Sequence, residues 1–373
     1  MGVWEALDSG IWSVTVRLGE RSYPVYVAPG LISGVGGLIA ERLPSASGCA
    51  VVTSENIWGL QGGALASALE AAGFETEIIL VPDGEAAKSW GEIARLIGEF
   101  LDRGFDRRST LVAFGGGAVG DLAGFAAAIY LRGIDLVQIP TTLLAQVDSA
   151  IGGKAAVNHP KGKNLIGAFK QPGLVASDPE LLASLPGREL RSGIAEVVKY
   201  GVIADPELFR MVEERGDALQ DAEPGALTEV VRRCATIKAG FVEEDERDVE
   251  GIRAALNYGH TLGHAVETLS APRMRHGEAV AIGMGFAGGI SVGIGLMKEG
   301  ELERQRDLLA SLGLETGIPD LKLGDILDAI KRDKKVEGGS VRFVLPTGIG
   351  TAPVIRPIDE TLIVRELGRE GVG

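Results

Sequence analysis

Thr110-Leu-Val-Ala-Phe-Gly-Gly-Gly-Ala-Val-Gly-Asp121 decides the fold. The apolar run 110–114 has the length and composition of a strand, and it enters glycines 115, 116, 117 and 120 without a polar break. An uncharged helical segment, 122–131, follows. Strand, glycine loop and helix in that order bring a backbone close to a phosphate. The glycines admit the ligand, and the helix start offers unpaired N–H groups and the positive end of its dipole. Asp121 is read as the cap of that helix. The spacing is not G-x-G-x-x-G at a first strand, so the loop alone fits a plain turn as well. Its place between strand and helix favours a nucleotide.

Outward from this stretch the same alternation repeats. Residues 14–27 read as a hairpin turning at 19–22. Then come a helix over 30–43, a strand over 49–53, a helix over 62–73, a strand over 76–81, a helix over 89–103 and, downstream, a strand over 136–139. Strands alternating with helices predict a parallel sheet covered on both faces. Beyond 178 the strand-like alternation nearly stops, and helical periods cover 180–185, 190–201, 207–214, 224–244, 254–269, 279–297, 298–312 and 324–333. A late hairpin is expected over 340–345 and 349–354. The expectation is a Rossmann-like α/β domain over 1–178 and a mainly helical domain over 179–373, closely packed because no linker separates them.

Composition bounds the function. The 373 residues are 45% hydrophobic and 24% charged, as in an ordinary globular protein. A net charge of −14 argues against a nucleic-acid or anionic-membrane partner. It leaves room for a small anionic ligand, since a pocket's local field can oppose the global one. Residues 279–297 carry no charge and approach membrane-spanning length, but six glycines among them favour a buried helix. Cys49 and Cys234 are too few for a disulfide framework or a cysteine zinc site. Glu5 and Asp8 stand where a secretory leader would be basic and apolar, so a cytosolic location is expected.

Three of the four histidines fall in Asn257-Tyr-Gly-His-Thr-Leu-Gly-His-Ala-Val-Glu267 and Arg275-His-Gly-Glu278. His260 and His264 are four apart, one turn along a helix face if the helix starts near Gly259. Thr261 replaces the glutamate of the familiar zinc-helix motif. A third ligand candidate is Glu196, three before Lys199 and flanked by Ile194, Val197 and Val198. A carboxylate buried among such residues needs a cation or metal. Two histidines and a glutamate with an open position suit a catalytic zinc site, and His260, His264 and His276 are equal candidates. On a continuous helix Arg253 and Asn257 would share the face of His260. Three strand ends converge where α/β sheets bind ligands: the glycine loop, Asp83–Glu85 with Lys88, and Thr141–Thr142. Asp148, Lys154, Lys163 and Asn164, among glycines and apolar residues, suit an anionic ligand. The run 331–335, taken alone, reads as a solvated helix end.

The chain resembles the 3-dehydroquinate synthases, within the sugar-phosphate cyclases. The match runs through Arg132-Gly133, Pro140-Thr-Thr-Leu-Leu144, Val147-Asp-Ser149, Gly152-Gly-Lys154, Gly162-Lys-Asn-Leu-Ile-Gly167, Glu196-Val-Val-Lys199, Leu256-Asn-Tyr-Gly-His-Thr-Leu-Gly-His264 and His276-Gly-Glu278. The resemblance implies a homodimer with bound NAD and zinc or cobalt. It implies conversion of the sugar acid phosphate 3-deoxy-D-arabino-heptulosonate 7-phosphate (DAHP) to 3-dehydroquinate and phosphate. That reaction runs by transient oxidation, phosphate elimination, re-reduction and aldol closure. By motif position Glu196, His260 and His276 would hold the metal, with His264 beside it facing the substrate phosphate. Asp148, Lys154, Lys199, Lys238, Arg253 and Asn257 would line the substrate site. Arg132 would reach the neighbouring subunit, and Asn164 and Lys334 would complete the phosphate pocket. Asp83, Glu85, Lys88, Gly116, Gly117, Gly120, Asp121, Thr141, Thr142, Lys154, Lys163 and Ser184 would serve NAD. Ala118 and Ser184 depart from the family's usual valine and threonine, and the segment from Lys238 to Arg253 is one residue longer than usual. A cyclase acting on sedoheptulose 7-phosphate or glucose 6-phosphate, and a metal-dependent polyol dehydrogenase, are the competing readings.

Overall fold

The computed structural model describes residues 5–6, 10–333 and 340–372, so Lys334 lies outside the described residues. The chain divides into two compact units, Met1–Leu185 with Leu227–Arg247, and Pro186–Ala226 with Asp248–Gly373. The division is not the single cut after 178 that the change of texture suggests. A helix from the middle of the helical stretch belongs to the first unit.

That unit contains, in order, β1 (Glu5–Ala6), β2 (Trp12–Val16), β3 (Tyr23–Val27), α1 (Val35–Arg42), β4 (Gly48–Ser54), α2 (Glu55–Ala71), β5 (Thr76–Val81) and α3 (Trp90–Asp102). It continues with β6 (Ser109–Gly115), α4 (Gly117–Ile129), β7 (Asp135–Pro140), β8 (Lys154–His159), β9 (Gly162–Phe169) and β10 (Leu174–Ser177). The main sheet has eight strands in the order β1-β2-β3-β10-β7-β6-β4-β5. From β3 to β5 all neighbours are parallel, and β1–β2–β3 are antiparallel. Every residue of β6 is buried, which is why its sequence is a continuous apolar run. Leu111 and Ala113 point into one core with Leu96, Phe100, Leu122 and Phe125. Val112 and Phe114 point into the other with Leu65, Leu69, Val137 and Ile139.

Three expectations shift here. The glycine loop is shorter than it reads, because Gly116 is the N-cap and α4 begins at Gly117. Gly120 and Asp121 are therefore inside the helix, and Asp121 does not cap it. Helix α2 starts at Glu55, where Ser54 accepts a hydrogen bond from the Ile57 amide, rather than at Gly62. The run 152–167, whose basic groups suit an anionic ligand, falls largely in the antiparallel β8–β9 hairpin, and the four-residue β10 sits between β3 and β7.

The remaining elements are α5 (Gly187–Ile203), α6 (Pro206–Gln220), α7 (Pro224–Glu244), α8 (His260–Ser270), α9 (His276–Gly293), α10 (Glu299–Ser311), α11 (Leu323–Asp333), the antiparallel pair β11 (Ser340–Leu345) and β12 (Val354–Asp359), and α12 (Glu360–Arg369). Helix α7 is the element assigned to the first unit from Leu227 on. It is held there by Lys238–Asp148, by Arg17–Glu243 and by the Arg232 guanidinium 3.7 Å over the Trp12 ring. The second strand of the late hairpin starts at Val354 rather than 349. The helix expected over 254–269 is broken. Ile252–Asn257 is a 3-10 turn, and Gly259, at φ +80°, stands between it and α8. Arg253 and Asn257 are therefore not on the helix face of His260. The uncharged stretch becomes the buried α9, and no helix among the described residues is long and apolar enough to cross a membrane.

Candidate functional site

In the second unit three elements deliver the expected metal ligands. Glu196 is fully buried on α5, His260 begins α8 and His276 begins α9. Small residues allow α9 to approach both neighbours: a methyl on Gly283 would overlap the Gly259 carbonyl before α8, and one on Gly277 would overlap Ser192 of α5. Ser192, one turn before Glu196, accepts the Gly277 amide hydrogen bond at 2.8 Å and ties the start of α9 to α5. Arg188 adds a two-pronged bond to Glu278 at 2.6 and 2.7 Å.

Glu196 Oε1 lies 3.5 Å from His260 Nε2 and 3.2 Å from His276 Nε2. The three donor atoms all fall within 4.8 Å of one another. Lys199 Nζ takes the other carboxylate oxygen at 2.5 Å. Burial alone would raise the Glu196 carboxyl, but Lys199, His260 and His276 hold it well below the usual range. Burial pulls His260 down to about 3 despite Glu196. Burial opposes the proton on His276 as well, yet hydrogen bonds to Glu196 and Glu267 push it up to about 9. His260 Nδ1 lies 3.0 Å from the Tyr258 carbonyl oxygen, so it donates there and leaves Nε2 as the donor to a metal. His264 does not belong to the group of converging donor atoms, although its ring centre lies as near that of His260, at 5.3 Å, as that of His276 does. Two imidazoles and one ionised carboxylate converge, with Glu196 and His260 buried and His276 half-buried, and fit a divalent transition-metal ion.

Arg253, in the turn before α8, is only 2% exposed, and Asn257 is half-buried. Sequence reasoning passed over Ser192, Tyr258 and Glu267. The signal for Glu267 was present, since it lies seven after His260 and three after His264 on one helical stripe.

In the first unit the expected nucleotide residues are spread over the ends of β5, β6 and β7, the first turns of α4 and the β8–β9 hairpin, with Ser184 in a later 3-10 turn. Lys88 is buried and bonds Asp121 Oδ2 at 2.5 Å and Asn164 Oδ1 at 2.5 Å. Burial raises the Asp121 carboxyl although Lys88 opposes it. Asn158 bridges Glu85, at 2.6 Å, to the Asn164 amide, at 2.9 Å. Asn164 thus sits with residues of the nucleotide set, and its φ of +56° is left-handed. A methyl on Gly117 would stand 2.9 Å from Ser149 Oγ, and one on Gly116 would stand 3.0 Å from Thr142 Cγ2. Thr141 and Ser149 bury hydroxyl oxygens that have no hydrogen-bond partner among the described residues. Bare glycine backbone beside unsatisfied hydroxyls fits a bound phosphate or ribose. Thr142 Oγ1 accepts the Ala145 amide and caps the next turn. Ser184 is engaged by Gln61 at 2.7 Å. Asp83, Lys154 and Lys163 are exposed. Asp148, in a π-helical turn over Ala145–Ser149, is ion-paired with Lys238. Leu131, Arg132 and Gly133 are three successive residues at positive φ.

Among solved structures, the chain is similar to a 2-epi-5-epi-valiolone synthase from Streptomyces hygroscopicus with NAD+ and Zn2+ bound. They are 30% identical, with a TM-score of 0.86 over 95% of this chain and 98% of the other. It is also similar to a 2-deoxy-scyllo-inosose synthase complexed with carbaglucose-6-phosphate, NAD+ and Co2+, at 27% identity and a TM-score of 0.88 over 96% of this chain and 99% of the other. The fold and the donor set define an enzyme of the sugar-phosphate cyclase class. The family models for the 3-dehydroquinate synthase N-terminal and C-terminal regions match residues 78–192 and 193–336. A 3-dehydroquinate synthase of Pelotomaculum thermopropionicum is 47% identical over 344 residues, 92% of each chain. The chain belongs to the 3-dehydroquinate synthase family.

Proposed function

We propose that this protein converts DAHP to 3-dehydroquinate and phosphate, the second step of the shikimate pathway. It does so in the cytosol as a homodimer, with NAD and zinc or cobalt. The observation that carries the reading is the meeting of Glu196, His260 and His276, from three helices, in a chain 47% identical to a curated synthase. Identity to the other cyclases is 27% and 30%, which favours DAHP over their sugar phosphates. The buried cation Arg253 supports an acid substrate, because sedoheptulose 7-phosphate and glucose 6-phosphate lack a carboxylate.

Glu196, His260 and His276 would hold a divalent ion, which would supply Lewis-acid polarisation of a substrate hydroxyl. Lys88, after β5, and Asp121, in α4, would help hold NAD, which would supply reversible hydride chemistry with no net oxidation. Lys199 keeps Glu196 ionised and occupies one of its oxygens, so that Oε1 faces the imidazoles. His264, beside the ligand rings, would face the substrate phosphate. The Lys238–Asp148 pair offers a charged donor and acceptor for substrate oxygens, and preorganised cations stabilise developing negative charge. Lys154, Lys163, Asn257 and Asn164 would contact substrate or cofactor as the resemblance implies. The homodimer is supported by the strained backbone at Arg132 and by exposed Trp90 on α3 and Leu165 and Phe169 on the β8–β9 hairpin, where Ser89, the N-cap of α3, bridges to Asn158. Light scattering at twice the chain's mass is expected.

The test is incubation with DAHP, NAD and zinc. One phosphate per dehydroquinate, with no accumulation of NADH, is expected. Accumulating NADH would mean a net dehydrogenase, and turnover of sedoheptulose 7-phosphate in place of DAHP would mean a sister cyclase.

A further inference from the structure

We propose that Glu267 is a positioning residue for His276, and that it sets how tightly the site holds its ion. The inference rests on the metal reading above. Helix α8 carries His260 at its first residue and Glu267 two turns on along the same stripe. Glu267 Oε2 lies 3.0 Å from His276 Nδ1, across to α9. The same ring's Nε2 lies 3.2 Å from Glu196 Oε1. An ionised carboxylate only accepts, so Nδ1 must carry the hydrogen of the neutral ring, and the lone pair is then on Nε2, facing the trio. Glu267 thereby selects the tautomer and the ring rotation that a metal needs.

The two histidine ligands are not backed alike. His260 Nδ1 faces the neutral Tyr258 carbonyl, and His276 Nδ1 faces a charged side chain. A carboxylate behind an imidazole makes it a stronger donor, so His276 is the ligand through which affinity is set. Stapling α8 to α9 is a weaker account of Glu267. The close contacts of Gly259, Gly263 and Gly283 already join these elements.

The experiment uses the full chain, wild type, E267A and E267Q, stripped and then titrated with zinc against a chelator of known affinity. Melting of the stripped proteins and the visible spectrum of the cobalt-loaded forms are recorded alongside. In E267A zinc affinity is expected to fall about 10–100-fold, with an altered cobalt spectrum and little change in the melting of the stripped protein. E267Q should fall less, because an amide oxygen still accepts from Nδ1 without the charge. E267A binding zinc within threefold of wild type would overturn the proposal, and a purely structural role would lower only the melting temperature. Should E267A not fold, E267Q is scored against the same threefold line. Wild type failing to bind zinc would sink the metal reading itself, whereas unchanged binding in the variants sinks only the role of Glu267.

Discussion

His260 and His276 share one cluster yet hold protons with opposite strength, about 3 against about 9. A metal takes neutral imidazole, so near pH 7.5 His260 is ready and His276 must lose a proton. Zinc binding is expected to release close to one proton per ion there, measurable by calorimetry in buffers of different ionisation enthalpy. Apparent affinity should rise with pH up to about 9 and then level off. The sign for stability follows from the same residue. Its folded value lies above the ordinary 6.5, so its contribution to the metal-free protein is full below 6.5 and is lost as pH rises towards 9. Melting of the stripped protein should fall across that window, and the zinc-loaded protein should not follow. His260→Ala is expected to remove metal and activity together while the fold persists, as judged by circular dichroism and metal analysis. The sequence named all these groups but left His264 level with the other two histidines. Spacing of four puts His260 and His264 on one face, and only the arrival of Glu196 from another helix separates them.

At the scale of elements, glycine decides where helices can meet. The count of glycines was visible in the chain, but which partner each one admits is a property of pairs. Gly283 lies against the Gly259 carbonyl with no room for a methyl. Gly283→Ala should cost about 1–3 kcal/mol of stability by overpacking and weaken zinc binding by pushing α8 from α9. Thermal melting and the chelator competition check both. The same limit explains the broken helix before His260. Apolar periodicity ran through 254–269, but Gly259 takes a left-handed φ where a side chain would meet Met284 and Val280. The strand–glycine–helix stretch was read correctly as a type of element and misread in detail, since the helix begins among the glycines themselves. Strand β10 was missed because four buried residues show no alternation.

Over the whole molecule, the proposed NAD residues and the proposed metal ligands lie in separate units, so the two binding functions are expected to fail separately. Lys88 is buried between Asp121 and Asn164. Lys88→Gln should weaken NAD binding about tenfold, since it removes the buried cation that engages both Asp121 and Asn164. Zinc stoichiometry should remain one per chain. Fluorescence titration with NADH and metal analysis read the two independently. The change from alternating to helical texture near 178 showed that there are two architectures but not how the chain is shared between them. Helix α7 is as helical in its period as its neighbours, and it is partners such as Asp148, Arg17 and Trp12 that assign it to the sheet-bearing unit. The polypeptide passes between the units after 185, after 226 and again after 247. Neither half is therefore a single ribbon that a gene could donate as a cassette. A fragment ending at 185 would leave its sheet without the helix that carries Lys238, and such a product is expected to precipitate on expression, while co-expression with the remainder offers it a route to solubility.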